Sequence, residues 1–440
     1  MPLDPKLKLL LEMPGMQLDA PPPEVTPAMM REATRAQLPP TTPPAIHAVN
    51  ELSVKGPAGD LRVRLYRPSA DGNLPLVVFF HGGGFVLCDL DSHDVMCRTL
   101  ANGSGCVVAA VDYRLAPETP FPGPLEDCYA ALLALHARAA ELGCNGQRLA
   151  VAGDSAGANL AAAVCLLSQS RSGPVIRYQA LLCPCLDADS NSSSMQQFGT
   201  GYLLSRNLMH WFWRCYAPEA SQRQNPLVSP LLAARLEGLP PASISTAEFD
   251  PLRDEGEAYA DRLRDAGVSV RVRRYNGMIH DFMQMPLATE HATPALLDIA
   301  GDLRSALQPT ASDRIAIARK MYELSLTQNW SALRQLTTDD FSIFEAPSLP
   351  FGGEYSGVNA MPDLLSTVGG LLTIKDLRFV NFLQGGEDVV AILELVVAGP
   401  AGDETLAIME RFRFRDDKVC ELRPFYFDAA QVQRTSKKNG

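Results

Sequence analysis

The chain has 440 residues, a formal net charge of −11 and 46% hydrophobic residues, which is enough apolar material for well-filled cores but more than one core organises, so two domains are expected. Its 39 basic residues, against 50 acidic ones, are scattered rather than gathered into runs; only Lys437-Lys438 is locally basic, which argues against a nucleic-acid or membrane surface as partner. The ten cysteines follow no regular spacing and sit among apolar residues, as at Cys106, Cys128 and Cys165, so they read as reduced core thiols and the expected address is cytoplasmic.

Residues 1–45 mix short helical patterns with the proline clusters Pro21-Pro22-Pro23 and Pro39-Pro40, a grammar that suits a lid better than a core layer. Leu9-Leu10-Leu11 is broken by Asp4, Pro5, Glu12 and Pro14, unlike the apolar region of an export signal, and no stretch is long and apolar enough to span a bilayer. Asp60–Tyr66 alternates with period two and predicts a strand exposed on one face. Leu76–Phe80 and Cys106–Val111 are unbroken apolar runs, as expected of strands covered on both sides in a parallel sheet. Helical spacing from Leu125 to Leu142 precedes a strand at Arg148–Ala152; further strands are predicted at Ala180–Cys183, Ala242–Ala247 and Val268–Arg273, and a helix at Leu296–Leu307. Strands alternating with helices make this part doubly wound α/β.

Gln308-Pro309-Thr310-Ala311-Ser312 reads as a linker, after which the pattern changes. Helices are expected over Asp313–Gln328, near Ser331 and near Val358. Four strand-like runs follow, Ile374–Leu383, Val389–Val397, Thr405–Phe414 and Val419–Phe427, separated by Gly385-Gly386, Gly399-Pro400-Ala401-Gly402 and Asp416-Asp417. Helices first and an antiparallel meander after is α+β logic.

Two short motifs carry the chemistry. Gly153-Asp154-Ser155-Ala156-Gly157 follows a predicted strand and precedes a helical stretch, the context of a G-x-S-x-G nucleophile elbow, whose small residues allow the sharp turn that exposes the serine Oγ. His81-Gly82-Gly83-Gly84-Phe85 follows another strand and supplies backbone N–H donors for an oxyanion. Together they describe a serine hydrolase. His81 is expected to hold its own loop by hydrogen bonding, and His93, His136, His210 and His291 to be surface or satisfied core residues. Asp154 and Arg114 are charges in apolar surroundings and read as members of structural ion pairs; Asp254 and Glu255 read as first-turn acids at a helix N-terminus. Cys183-Pro184-Cys185 is too close for a metal finger and has no second pair, and no phosphate-cradling loop is present, so neither metal nor other cofactor is implied.

These motifs, with Asp112-Tyr113-Arg114-Leu115-Ala116-Pro117-Glu118, Asp250-Pro251-Leu252-Arg253-Asp254-Glu255-Gly256 and Gly277-Met278-Ile279-His280-Asp281-Phe282 in the same order, make the first two thirds of the chain resemble the hormone-sensitive-lipase-like (bacterial family IV) carboxylesterases of the α/β-hydrolase superfamily. The resemblance implies an α/β-hydrolase with a mostly parallel central sheet over residues 46–308 and a helical cap built from 1–45 and about 186–220. It makes Ser155 the nucleophile, Asp250 the orienting acid and His280 the general base, with Gly83, Gly84 and Ala156 as the oxyanion hole and Leu204, Met209, Phe212 and Tyr216 as candidates to face the substrate. The implied reaction is hydrolysis of a small-molecule, short- to medium-chain ester through an acyl-enzyme. Cys88 stands where relatives often carry glycine.

Residues 312–430, before a tail at 431–440, resemble the nuclear transport factor 2-like superfamily, especially SnoaL-like members, through Glu345-Ala346-Pro347, Gly353-Glu354-Tyr355-Ser356-Gly357 and Glu421-Leu422-Arg423-Pro424-Phe425-Tyr426-Phe427-Asp428. This implies a smaller cone-shaped α+β domain with an internal pocket. None of the seven histidines lies there, so proton chemistry would rest on Glu345, Glu354 or Glu410. The favoured expectation is an accessory domain that shapes the substrate site or forms a homodimer. A bifunctional enzyme whose cone cyclises, isomerises or dehydrates is one alternative, and a non-catalytic ligand receptor the other.

Overall fold

Unbroken apolar runs become central strands because both faces of such a strand are covered, and this is how the first part of the chain is built. The computed structural model describes residues 2–13, 16, 19–36, 42–308, 311–399, 402–415 and 418–436. Pro39-Pro40, the middle of the expected linker, the turn centres at 400–401 and 416–417, and Lys437-Lys438 lie outside them. The chain divides into two units, Met1–Leu307 and Gln308–Gly440.

The first unit holds β1 (Ala48–Gly56), β2 (Gly59–Arg67), β3 (Leu74–Phe80), β4 (Val107–Val111), β5 (Cys144–Asp154), β6 (Tyr178–Leu182), β7 (Ala242–Phe249) and β8 (Val270–Ile279). They form one sheet in the order β1-β2-β4-β3-β5-β6-β7-β8. The β1-β2 and β2-β4 pairings are antiparallel and the rest parallel, giving the mostly parallel sheet expected. β3 to β6 are almost wholly buried, with separate apolar layers on the two faces.

Residues 1–45 serve two different purposes. The helix Pro5–Leu11 is capped by Asp4, whose side chain accepts from Lys6 N and Leu7 N, and it sinks Leu7, with no exposed surface, into one of the two core layers. The helix Pro27–Ala36 buries no residue and is held by charge instead: Arg31 donates to the carbonyls of Val86 and Ala116 and to both oxygens of Glu118, and Arg35 pairs with Asp89 at 2.7 Å. The other expected cap piece contains the helices Ser193–Phe198 and Arg206–Tyr216.

The second unit has three helices, Ala311–Leu326, Trp330–Gln335 and Ala360–Leu371, near the expected positions, a short final helix Ala429–Thr435, and a six-stranded sheet rather than four strand-like runs. Its strands are β9 (Thr337–Glu345), β10 (Gly353–Ser356), β11 (Ile374–Gly385), β12 (Asp388–Gly399), β13 (Gly402–Arg415) and β14 (Lys418–Tyr426), ordered β10-β9-β14-β13-β12-β11. β11 to β14 form the antiparallel meander. β9, whose polar start Thr-Thr-Asp-Asp hides it in the sequence, extends the sheet by pairing parallel with β14. One face is packed around Phe341, Ile343, Phe412 and Phe414.

Because Leu7 carries the docking of its helix, Leu7→Ala is expected to lower stability by about 2–4 kcal/mol. Met29→Ala on the charge-held helix should change it by less than about 0.5 kcal/mol; chemical denaturation of both variants checks the contrast.

Candidate active site

β5 ends at Asp154 and the helix Ala156–Ser170 begins directly after it, leaving Ser155 to make the whole turn at φ 51°, ψ −116°. Side-chain-bearing residues avoid this region, so the turn stores strain that the surrounding packing must hold. The flanking glycines explain how it is tolerated. A Cβ on Gly157 would lie 1.9 Å from the Phe80 carbonyl oxygen, and one on Gly153 would lie 2.4 Å from the Gly157 backbone. Strand, turn and helix therefore press against the end of β3, where the glycine loop starts.

The Ser155 Oγ lies 3.0 Å from His280 Nε2, and His280 Nδ1 lies 2.8 Å from Asp250 Oδ2. Asp250 follows β7, and its other oxygen accepts the Leu252 N–H at 2.8 Å; His280 follows β8. Three separate loops at one edge of the sheet thus bring together the serine, imidazole and carboxylate named from the sequence. All three are at least nine-tenths buried. Burial disfavours the imidazolium, but the charges of Asp250 and Asp281 outweigh it and hold the His280 pKa well above the ordinary histidine range. Asp281 Oδ2 is 3.3 Å from His280 Nε2, on the side the serine uses, and burial raises its own pKa.

Gly83 and Gly84 take φ of 102° and 62°, and the ring of Phe212 lies where a Gly84 Cβ would be, 2.3 Å away. Ala156 opens the helix after the nucleophile, so its N–H has no partner within that helix. Of the four expected substrate-facing residues, Phe212 thus reaches the glycine loop. Met209 lines a small cavity with Met195 and Trp213, and Leu204 is buried. Tyr216 has no exposed surface, and its ring stacks on Phe85 at 3.8 Å and 5° between planes. Cys88 takes φ 68°, which suits the glycine often found there.

Asp154 and Arg114 do occur in ion pairs, each with a separate partner: Arg114 with Asp127 at 2.7 Å and Asp154 with His93 at 3.0 Å. Asp154 also accepts the Gly82 N–H at 3.0 Å and a hydrogen bond from Gln284 Nε2 at 3.2 Å. Burial alone would raise its pKa, but the His93 charge and hydrogen bond bring it below the ordinary value. His81 stacks on Tyr113 and contacts the Gly82 carbonyl through Nδ1 at 2.8 Å; burial and the neighbouring His93 push its pKa down to about 4. Glu255 is more than a first-turn acid. It is buried, accepts the Leu186 N–H at 2.6 Å, and burial pushes its pKa up to about 8.

Cys183 Sγ, the Asp250 carboxylate and the His280 ring lie within 4.8 Å of one another. Burial pushes the Cys183 thiol well above its usual range, whereas a metal-bound cysteine must be a thiolate. Asp250 and His280 already satisfy each other, so the donor set does not fit a metal centre.

Residues 77–284 match a protein family described as having the alpha/beta hydrolase fold. The chain is 46% identical over 249 residues to the carboxylic ester hydrolase LipN of Mycobacterium tuberculosis, covering 55% of this chain and 66% of that one. It is 38% identical over 302 residues to the carboxylesterase NlhH of the same organism, covering 67% and 92%. Among solved structures it resembles the hyperthermophilic esterase of the archaeon Pyrobaculum calidifontis, with TM-score 0.64 and 39% identity over 69% of this chain and 99% of that one.

Since a side chain at position 157 would enter the Phe80 carbonyl, Gly157→Ala is expected to cost about 1–3 kcal/mol or more through overpacking. Thermal unfolding of the purified variant measures the loss, and an unchanged midpoint would contradict the wedge described above.

Proposed function

Because the chain belongs to the α/β-hydrolase family of serine carboxylesterases, we propose that Ser155, His280 and Asp250 form its catalytic triad and act on short- to medium-chain esters. The hydrogen-bonded line from Ser155 Oγ through His280 to Asp250 carries this reading. His280 Nε2 takes the serine proton as Oγ attacks the ester carbonyl, and Nδ1–H stays on Asp250, which holds the tautomer and stabilises the imidazolium. The N–H groups of Gly83, Gly84 and Ala156 receive the oxyanion. The imidazolium then protonates the leaving alcohol, and a water activated by the same nitrogen releases the acid from Ser155. The Phe212 ring against Gly84 supports a preference for modest acyl groups. The complete set of three side chains favours catalysis over a receptor role.

The second unit is read as a SnoaL-like accessory domain that dimerises or shapes the substrate site. Exposed Ile374, Phe379, Val380 and Leu383 on the edge strand β11 support a homodimer, since apolar side chains on an unpaired strand invite a partner. The ten cysteines, held as thiols rather than disulfides, support a reducing, cytoplasmic location.

Ser155→Ala should reduce kcat on short aryl esters by about five to six decades, with an unchanged unfolding midpoint excluding misfolding as the cause. His280 must be neutral to accept a proton, so kcat/KM should rise with pH through an apparent pKa above the ordinary histidine range. Removing one of the charges that raise it, in Asp281→Asn, should move that rise to lower pH; a pH–rate profile with an unmoved acid limb would count against the assignment.

A further inference from the structure

In the second unit, the inward rows of the sheet are apolar except at two places. Along β9 the inward residues are Phe341, Ile343 and Glu345; along β13 they are Leu406, Ile408, Glu410, Phe412 and Phe414. Glu410 pairs with Pro424 across β13 and β14, and Leu422 pairs with Ile343 across β14 and β9. One period-two step beyond that last pair brings Glu345 level with Pro424, so the two carboxyls flank Pro424 on the packed face. Neither forms a salt bridge among the described residues. Glu345 is only 5% exposed, and its Oε2 has no hydrogen-bond partner. Glu410 accepts from the Tyr322 hydroxyl. By contrast Glu354 is exposed on β10 and accepts from Ser356, so it is not part of this arrangement.

A cavity of about 90 Å³ opens beside Glu410, lined by Met321, Tyr322, Met361, Leu364 and Phe412 among others, and Glu410 supplies its only charge. An acid in apolar surroundings with no basic partner is costly when ionised. A cation entering the cavity would relieve that cost, and the rings of Tyr322 and Phe412 would add to its attraction. An inorganic divalent ion would need several more oxygen ligands than are present, whereas the methionine and leucine walls suit a hydrocarbon tail. The volume is below the roughly 150 Å³ that accommodates benzene, which limits the ligand to about four or five heavy atoms.

We propose that this cavity binds a small organic cation, a short alkylammonium whose charged head pairs with Glu410, with the Glu345 charge behind Pro424 adding to the attraction, and whose tail lies among Met321, Met361 and Leu364. Titration supports the same assignment. Burial pushes Glu410 up to about 7, and burial together with the Glu410 charge pushes Glu345 up to about 8, with Tyr426 acting in the opposite direction. The other titratable groups facing the pair, Tyr322 and Tyr426, are raised well above their usual range and stay neutral. A cation prefers the ionised pair, so its binding strengthens as pH rises through 7 and 8, until the amine itself loses its proton near the lysine range, about 10.4.

The test is calorimetric titration of the full-length protein with n-butylammonium, 1-butanol and butyrate between about pH 6 and pH 9. The expected result is that butylammonium binds about tenfold more tightly at the upper end than at the lower, and that Glu410→Gln weakens it by about tenfold. Glu345→Gln should lessen the pH dependence. Circular dichroism and the unfolding transition of each full-length variant verify its folding. If Glu410→Gln does not fold, Tyr322→Phe and the wild-type pH series carry the decision. The proposal is overturned if butanol binds as well as butylammonium, if affinity is flat with pH, if folded Glu410→Gln binds equally well, or if butylammonium does not bind at the upper pH. None of these readings depends on the assignment of Ser155.

Discussion

The architecture of the first unit depends on one steric constraint, the absence of side chains at Gly153 and Gly157 where the strand β5 turns into the following helix. With only hydrogen at both positions, the helix start can press on the Phe80 carbonyl, and Ser155 is forced to a positive φ of 51°. The same contact draws the end of β5 against the end of β3, so the glycine loop and the serine arrive at one place without a long connecting segment. The placement of the glycine loop beside Ser155 is therefore the consequence of a single close approach, and the parallel sheet supplies the two strand ends at adjacent positions.

Asp154 stabilises that meeting point electrostatically. It stands beside Ser155 in sequence but points to the glycine loop, holding Gly82 N–H with one oxygen and His93 with the other, and it also receives Gln284 from just beyond His280. One buried carboxylate thus links the glycine loop, the turn that carries Ser155 and the segment that follows His280. Its charge is balanced by His93 within the core, which reduces the desolvation cost that a lone buried acid would incur.

Much of this was legible in the chain, for a physical reason: strands covered on both faces must be continuously apolar, and a turn as tight as the nucleophile elbow tolerates only small neighbours. The strands β3 to β7 and the residues Ser155, Asp250 and His280 follow from those demands or from ordered motifs. Elements exposed on one face left weaker traces. β1 carries Asn50, Glu51, Ser53 and Lys55, β9 begins with four polar residues, and β10 is only four residues long. The pairing of Asp154 with His93 spans 61 residues, and no local pattern encodes it. The burial of Glu255 and Tyr216 left no trace either, because an acid in a first helical turn and an aromatic on a helix look alike in sequence whether buried or exposed; only packing tells them apart.

The buried thiol of Cys183 bears on the fate of the acyl group that the proposed mechanism places on Ser155. Sulfur is an inherently better nucleophile than oxygen, and a thiolate beside the Asp250–His280 pair would offer the acyl group a second place to go. Burial and the surrounding carboxylates keep this thiol protonated, and a protonated thiol does not attack. Sideways transfer to a thioester is thereby closed off, leaving an incoming solvent molecule as the acceptor.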